Sequence, residues 1–347
     1  MVCTVNLIRY LHSIHYIGFA SAQLMNSILV FLIVTRSKNS LGSYRHSMLI
    51  FTLASMAYSW VEIIGQPVAH MKGSMFVVFT HNLSINLSYS LGEFLVCLHC
   101  VLTGFVASLL SCQFFYRYVA LCKTHLLVYL QGKKLFLIFT PSVIVFIIWF
   151  IMFYFGMPNI LEKQEYLKKE FKICFNVDSS KTPFVGPMYW SRGENGEINW
   201  KITEVIASQL CSFLSIISFL AILYCAISIY STINSLRHNL SPKMLDVNRQ
   251  IFKMLCMQTI IPMITMYTPV ALFAILLLFG QDIPYLGNLT SCSLAVYPVI
   301  EPIIAMTCIS AFRRATINAV TCSHSVSPTT AVLPVLVSKY RNTEKQL

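Results

Sequence analysis

Three acids stand inside long apolar runs of this 347-residue sequence: Glu62, Glu93 and Glu301. A carboxylate in such surroundings is costly unless it is paired, so each marks a group facing a cavity or pathway, or a polar residue satisfied by its neighbours. In Tyr297-Pro298-Val-Ile-Glu301-Pro302, helical spacing puts Tyr297 and Glu301 one turn apart on one face. The two prolines there each remove a backbone donor and loosen the helix. A hinge or switch is one reading of that string, and a satisfied polar residue is the other. Glu93 lies near the outer end of its run, at an interface or facing a ligand cavity. Glu62 is more central and needs a partner that the sequence does not name.

Nothing else is arranged for catalysis. The strings G-x-x-x-x-G-K, H-E-x-x-H and G-x-S-x-G do not occur, and no nucleophile stands at a usable spacing from a base. Of the twelve cysteines, Cys97, Cys100, Cys112, Cys211, Cys225, Cys256 and Cys308 sit within apolar runs, where they act as small core hydrophobes. The cluster Cys97-Leu98-His99-Cys100 lacks the second ligand pair that a structural zinc requires. No catalytic residue, metal or cofactor is expected.

The elements that hold these residues are membrane helices. Hydrophobic residues make up 56% of the chain and charged residues only 11%, against about 45–50% and about 25% in ordinary soluble domains. Seven stretches reach the length of about 20 apolar residues that a crossing needs. They run from about 11 to 35, 47 to 69, 91 to 119, 135 to 156, 205 to 232, 254 to 279 and 288 to 312. The first lacks a small-residue cleavage pattern and ends in Arg36-Ser37-Lys38, as a retained anchor does. The fold class expected is an all-α membrane protein, a seven-transmembrane helix bundle, with residues 1–10 as an outer N-terminus, 11–312 as the bundle and 313–347 as a cytoplasmic tail.

With the N-terminus outside, the inner loops and tail collect Arg36, Lys38, Arg45, Arg117, Lys123, Lys133, Lys134, Arg237, Lys243, Arg249, Arg313 and Arg314, opposed there only by Asp246 and Glu344. That is the positive-inside pattern. The net charge of +12 is thus an orientation signal and an attraction to the anionic inner leaflet, not a sign of nucleic acid. The outer loop 157–202 is nearly balanced, with seven basic residues and six acids. Sequons at Asn82, Asn86 and Asn288 fall on the outer side, and Asn82 and Asn86 are the glycosylation candidates. Prolines within the spans at Pro67, Pro141, Pro262, Pro269 and Pro298 suit a bundle that bends, whether receptor or transporter. A secondary transporter or channel is the alternative, although the two halves show no repeat.

Seven spans, an outer N-terminus and a basic inner face describe a G-protein-coupled receptor. Four local strings narrow this: Leu41-Gly42-Ser43-Tyr44-Arg45, Phe115-Tyr116-Arg117-Tyr118, Gln258-Thr-Ile-Ile-Pro262, and Tyr297-Pro298-Val-Ile-Glu301-Pro302 followed by Ala311-Phe312-Arg313. In this order, over roughly residues 11 to 320, they resemble the Str-type (serpentine receptor class r) chemoreceptors of nematodes. Where that family usually has an aspartate before the last proline and a tyrosine before the following arginine, this chain has Glu301 and Phe312.

The resemblance implies an odorant receptor in the plasma membrane of sensory-neuron cilia, binding a small external molecule and coupled to a heterotrimeric G protein. It puts coupling and switching on Arg117, Tyr118, Tyr297, Pro298, Glu301 and Pro302. Tyr116 stands where rhodopsin-like receptors carry an acid, so no neighbouring carboxylate restrains Arg117; the plainer reading of Arg117 is a snorkelling anchor. Ligand contacts are expected on the outer halves of the helices, at Glu93, His99, Gln209, Phe213, Met266 and Tyr267, all of which bundle packing explains equally well. A disulfide from the third span to the second outer loop is usual in such bundles, and Cys97 with Cys174 is the expected pair.

Overall fold

The computed structural model describes residues 5–36, 41, 44–82, 88–130, 132–193, 195–236, 241–264, 268–281, 283 and 286–320. Ten α-helices follow one another: α1 Val5–Arg36, α2 Tyr44–Gly65, α3 Tyr89–Cys122, α4 Thr140–Ile151, α5 Leu161–Glu170, α6 Ile202–Ser235, α7 Pro242–Pro262, α8 Thr268–Phe279, α9 Leu286–Cys308 and α10 Ser310–Val320. Within a bilayer no water can satisfy backbone groups, so apolar segments close their hydrogen bonds internally as helices. Six described helical segments are long and apolar enough to cross: Tyr10–Arg36, Tyr44–Gly65, Tyr89–Cys122, Lys134–Gly156, Ile202–Ser235 and Leu286–Cys308.

Of the expected span 254–279, the sixth in chain order, two α-helical parts are described: α7 ends at Pro262, Met263 and Ile264 follow in π-helical geometry, and α8 begins at Thr268, just before Pro269. A proline removes one helical hydrogen bond, which loosens the helix at Pro262. The second span is shorter than its hydropathy predicts. α2 stops at Gly65, Gln66 takes a positive φ of 43°, and Pro67 opens a β-strand instead of kinking a helix.

That strand belongs to a cap on the end of the bundle where α1 begins, here termed the outer end after the expected orientation. β1 Pro67–Lys72 pairs antiparallel with β2 Met75–Thr80, turning at Gly73, and β3 Phe184–Val185 pairs with β2 through Val78↔Val185 and Phe79↔Phe184. A second pair, β4 Trp190–Arg192 and β5 Ile198–Trp200, lies in the loop before α6. The chain is therefore all-α only where it crosses. Hydropathy marks no strands at β1, β2 and β3 because their side chains are mostly buried on both faces.

Side chains on β2 alternate in direction. Val77 and Phe79 pack with Phe171, Cys174, Phe184 and Met188, whereas Val78 packs with Val96, Cys97, Cys100 and Val185. The sheet thus separates Cys97 from Cys174. Cys97 is a free, buried thiol while Cys174 is disulfide-bonded, so the expected Cys97–Cys174 bridge is not formed and the Cys174 bond is made elsewhere.

α3 runs through the middle of the bundle against α2, α4 and α6, and α1 closes against α2 and α9. A Cβ on Gly18 of α1 would lie 2.6 Å from the Ala295 carbonyl oxygen, so only glycine allows that approach of α1 to α9. The inner half of the core is apolar and aromatic, built on Phe51, Leu109, Phe114, Met254, Leu255 and Phe312. Phe31, Trp60, Tyr224 and Ile227 are exposed on the flanks, which is where lipid would lie.

Candidate functional site

Polar groups are stacked along the bundle in four levels, beginning in the cap. Several of its charges are held in ion pairs. Lys163 of α5 is completely buried; its Nζ lies 2.7 Å from Glu204 Oε2 and donates to the carbonyls of Pro158 and Gly186. Burial pushes the Lys163 ammonium below its usual range, and the Glu204 carboxylate opposes that shift. Glu170 lies 3.2 Å from His70 Nε2 and 3.4 Å from Lys72 Nζ. Lys201 Nζ lies 2.5 Å from Glu162, and that bond holds the Glu162 carboxyl low. These ties fasten α5 to the hairpin and to the start of α6.

Below the cap, Glu62 receives the partners that the sequence withheld. Its Oε1 lies 3.1 Å from His15 Nδ1 on α1 and its Oε2 lies 2.8 Å from His99 Nδ1 on α3, with all three side chains buried. One turn outward, His12 Nδ1 lies 2.7 Å from Gln66 Oε1 and His12 Nε2 lies 3.0 Å from His81 Nδ1. Burial lowers the affinity of His81 for a proton. His12 and His15 stand at i and i+3 on α1, a spacing that could have been read as one polar face.

At mid-depth, α9 carries Pro298 and Pro302. Pro302 has no N–H, so the Pro298 carbonyl four residues earlier loses its helical donor. Asn26 of α1 replaces it: its Nδ2 donates to Pro298 O at 2.9 Å and to Ala22 O at 2.8 Å. Glu301 is buried and accepts from Gln258 Nε2 of α7 at 3.5 Å. Tyr297 and Pro302 are buried beside it. The prolines, the carboxylate and α7 therefore form one contact region.

At the inner end, the Arg117 guanidinium lies 3.8 Å from the centroid of the Tyr44 ring and is 9% exposed. Tyr44 donates its hydroxyl to Gln113 Oε1 at 2.9 Å and stacks on Tyr116. Arg117 Nε and Nη2 are buried without a hydrogen-bond partner among the described residues. The arginine is thus held by a ring face while most of its donor capacity stays unspent. Its ring partner, Tyr44, was legible only as part of the string 41–45. Tyr118, on the exposed side, brings its hydroxyl within 3.4 Å of that of Tyr224 on α6.

The expected ligand contacts do not converge. Glu93 is half-buried at the outer end of α3. His99 is committed to Glu62, and Gln209 Nε2 donates to the hydroxyl of Tyr189, a buried residue of the outer loop. Phe213 is 58% exposed on the flank of α6 and points away from the bundle interior, which removes it from the set. Met266 and Tyr267 lie outside the described residues, as does Asn86. Asn82 is half-buried and donates its Nδ2 to Ile64 O at 2.7 Å, in the last turn of α2.

Comparison with other proteins agrees with this architecture. Residues 11–317 match the family described as serpentine type 7TM GPCR chemoreceptor Str. The chain is 27% identical over 345 residues to the G-protein coupled receptor str-33 of Caenorhabditis elegans, covering 98% of this chain and 99% of that one. It is 26% identical over 305 residues to serpentine receptor class r-10 of the same organism, covering 87% and 88%. Among solved structures it is similar to squid rhodopsin, with a TM-score of 0.61 and 13% identity over 94% of this chain and 90% of that one.

Proposed function

Given that the chain belongs to the Str family of serpentine seven-transmembrane chemoreceptors, we propose that it is an odorant receptor whose N-terminus faces outward, in the plasma membrane of sensory-neuron cilia. The coarser statement is established: the chain is a multi-pass chemosensory receptor of the G-protein-coupled type, a class that takes small molecules outside and signals to G proteins inside. Family and fold are those of receptors rather than of enzymes, and neither favours a transporter.

One observation supports the mechanism above the others. Arg117 rests on Tyr44 with unspent donors at the basic end of the bundle. In the proposed cycle, ligand binding changes the angle of α7 at Pro262 and the contact of α7 with Glu301. Movement of the inner half of α7 then opens the inner face, and Arg117 leaves the Tyr44 ring to donate to carbonyls or acids of a heterotrimeric G protein. Tyr297, Pro298, Glu301 and Pro302 act as the switch, and Tyr118 as a contact between α3 and α6. For ligands arriving from water, Glu93 is the proposed outer contact, while His99 and Gln209 act by holding the bundle and cap.

The test is an odorant-panel screen of the expressed protein with a calcium or cyclic-nucleotide readout, with and without G protein. A ligand-evoked signal that disappears with the G protein is expected. Movement of a labelled solute independent of G protein, with no second-messenger response, would replace the receptor by the transporter.

A further inference from the structure

Among the described residues the centre of the cap is closed: Met75, Val77, Phe79, Phe184, Met188 and Tyr189 have no exposed surface, and Lys72, Glu162, Lys163, Glu170, Lys201 and Glu204 around them are paired. A cleft lies on the flank of the bundle between α3, α4, α6 and α7, of about 460 Å3 when the open space at its mouth is counted. None of the residues lining it carries a charge.

Its polar groups have a definite sense. The hydroxyls of Ser215, Ser218 and Thr259 each donate to a carbonyl four residues earlier on their own helices, so they face the cleft as acceptors. The one indole in the wall, that of Trp149, has its Nε1 buried without a hydrogen-bond partner. The ring is seated on bare backbone: a Cβ at Gly104 would lie 2.7 Å from it. A buried N–H left unpaired costs free energy, and an acceptor on an occupant would recover it once the ring turns that N–H, which has no surface of its own here, toward the cleft. Met263, the residue after Pro262 at the end of α7, also lines the wall.

We propose that this flank cleft is a ligand site reached through the lipid, taking a small uncharged molecule whose oxygen accepts from the Trp149 indole and whose hydroxyl, where present, donates to the serine and threonine oxygens. The occupant bears on α7 at its C-terminal end beside Pro262 and so acts on the element that contacts Glu301. This rests on the receptor reading and adds the chemistry and route of a ligand distinct from one recognised at Glu93.

The test uses the full chain in lipid nanodiscs with 15N-labelled tryptophan indoles, the Trp149 peak being assigned by its loss in Trp149→Phe. Titration with hexan-1-ol is expected to move that peak in the hydrogen-bonded direction, and n-hexane to leave it in place. The alcohol should bind about five- to tenfold more tightly than the alkane, the worth of one neutral hydrogen bond. Ser218→Leu fills the cleft and should abolish the movement while the other indole peaks stay unchanged; Ala107→Phe, from the α3 wall, serves if that variant does not fold. An unmoved Trp149 peak, equal movement with alkane, or full movement in the filled variants would overturn the site. A receptor that signals normally with an unmoved peak removes this site alone, whereas binding without any G-protein signal removes the receptor mechanism and leaves the site.

Discussion

The guanidinium of Arg117 lies over the ring of Tyr44, 3.8 Å from its centroid, and joins the inner ends of α3 and α2. In the proposed mechanism this contact restrains the arginine, for which Tyr116 offers no neighbouring carboxylate. A ring face holds a cation by roughly 0.5–2 kcal/mol and leaves its N–H donors available.

Tyr44→Leu should therefore raise basal signalling by about fivefold, within the range set by that contact energy, while Tyr44→Phe stays within about twofold of the native receptor because the ring remains. Arg117→Ala should abolish ligand-evoked signalling at unchanged surface expression. Surface labelling combined with a second-messenger assay measures both, and normal signalling by an expressed Arg117→Ala protein would refute the coupling role.

Lys163 is the most deeply held charge of the cap, and its partner Glu204 is buried with it. Lys163→Met leaves that carboxylate unpaired, a loss of about 3–5 kcal/mol for a broken buried pair. The double variant with Glu204→Gln should recover most of it. Thermal unfolding in detergent reads the difference, and equal destabilisation in the single and double variants would remove the pair from the account.

Glu170 gives the cap a dependence on acid. Burial by itself would raise its pKa, but His70 and Lys72 outweigh that and hold the folded carboxyl below its ordinary value of 4.5. A group depressed on folding contributes stability above its unfolded pKa and loses it as pH falls through the folded one. Cap stability should thus fall as pH drops from about 4.5 downward, and Glu170→Gln should flatten that part of the profile. Hydrogen exchange of β1 amides at several pH values would show it, and an unchanged slope in the variant counts against the assignment.

Cys97 and Cys174 lie on opposite sides of the β1–β2–β3 sheet. Cys97→Ser should leave Cys174 oxidised in a non-reducing peptide map, and Cys97 should be alkylated only after denaturation. Release of a Cys174 thiol in that variant would restore the pairing that the sequence suggested.

Chain-wide hydropathy by itself determined that the protein lives in a bilayer, how many times it crosses and where its basic loops lie, because those are sums over twenty residues and need no partner. The strings around Tyr44, Arg117, Gln258 and Tyr297 likewise carried the family, being local. What they could not carry was pairing. Glu62 gained His15 and His99, Pro298 gained Asn26, Arg117 gained Tyr44, and Cys97 lost Cys174, each through contacts between segments far apart in the chain. The cap was hidden for the same reason, since β1 and β2 are mostly buried on both faces and the start of β1, residues 67–69, read as the end of the second span. Only the tertiary structure decided these, because a buried charge or an orphaned carbonyl constrains that a partner exists, while packing alone selects which one.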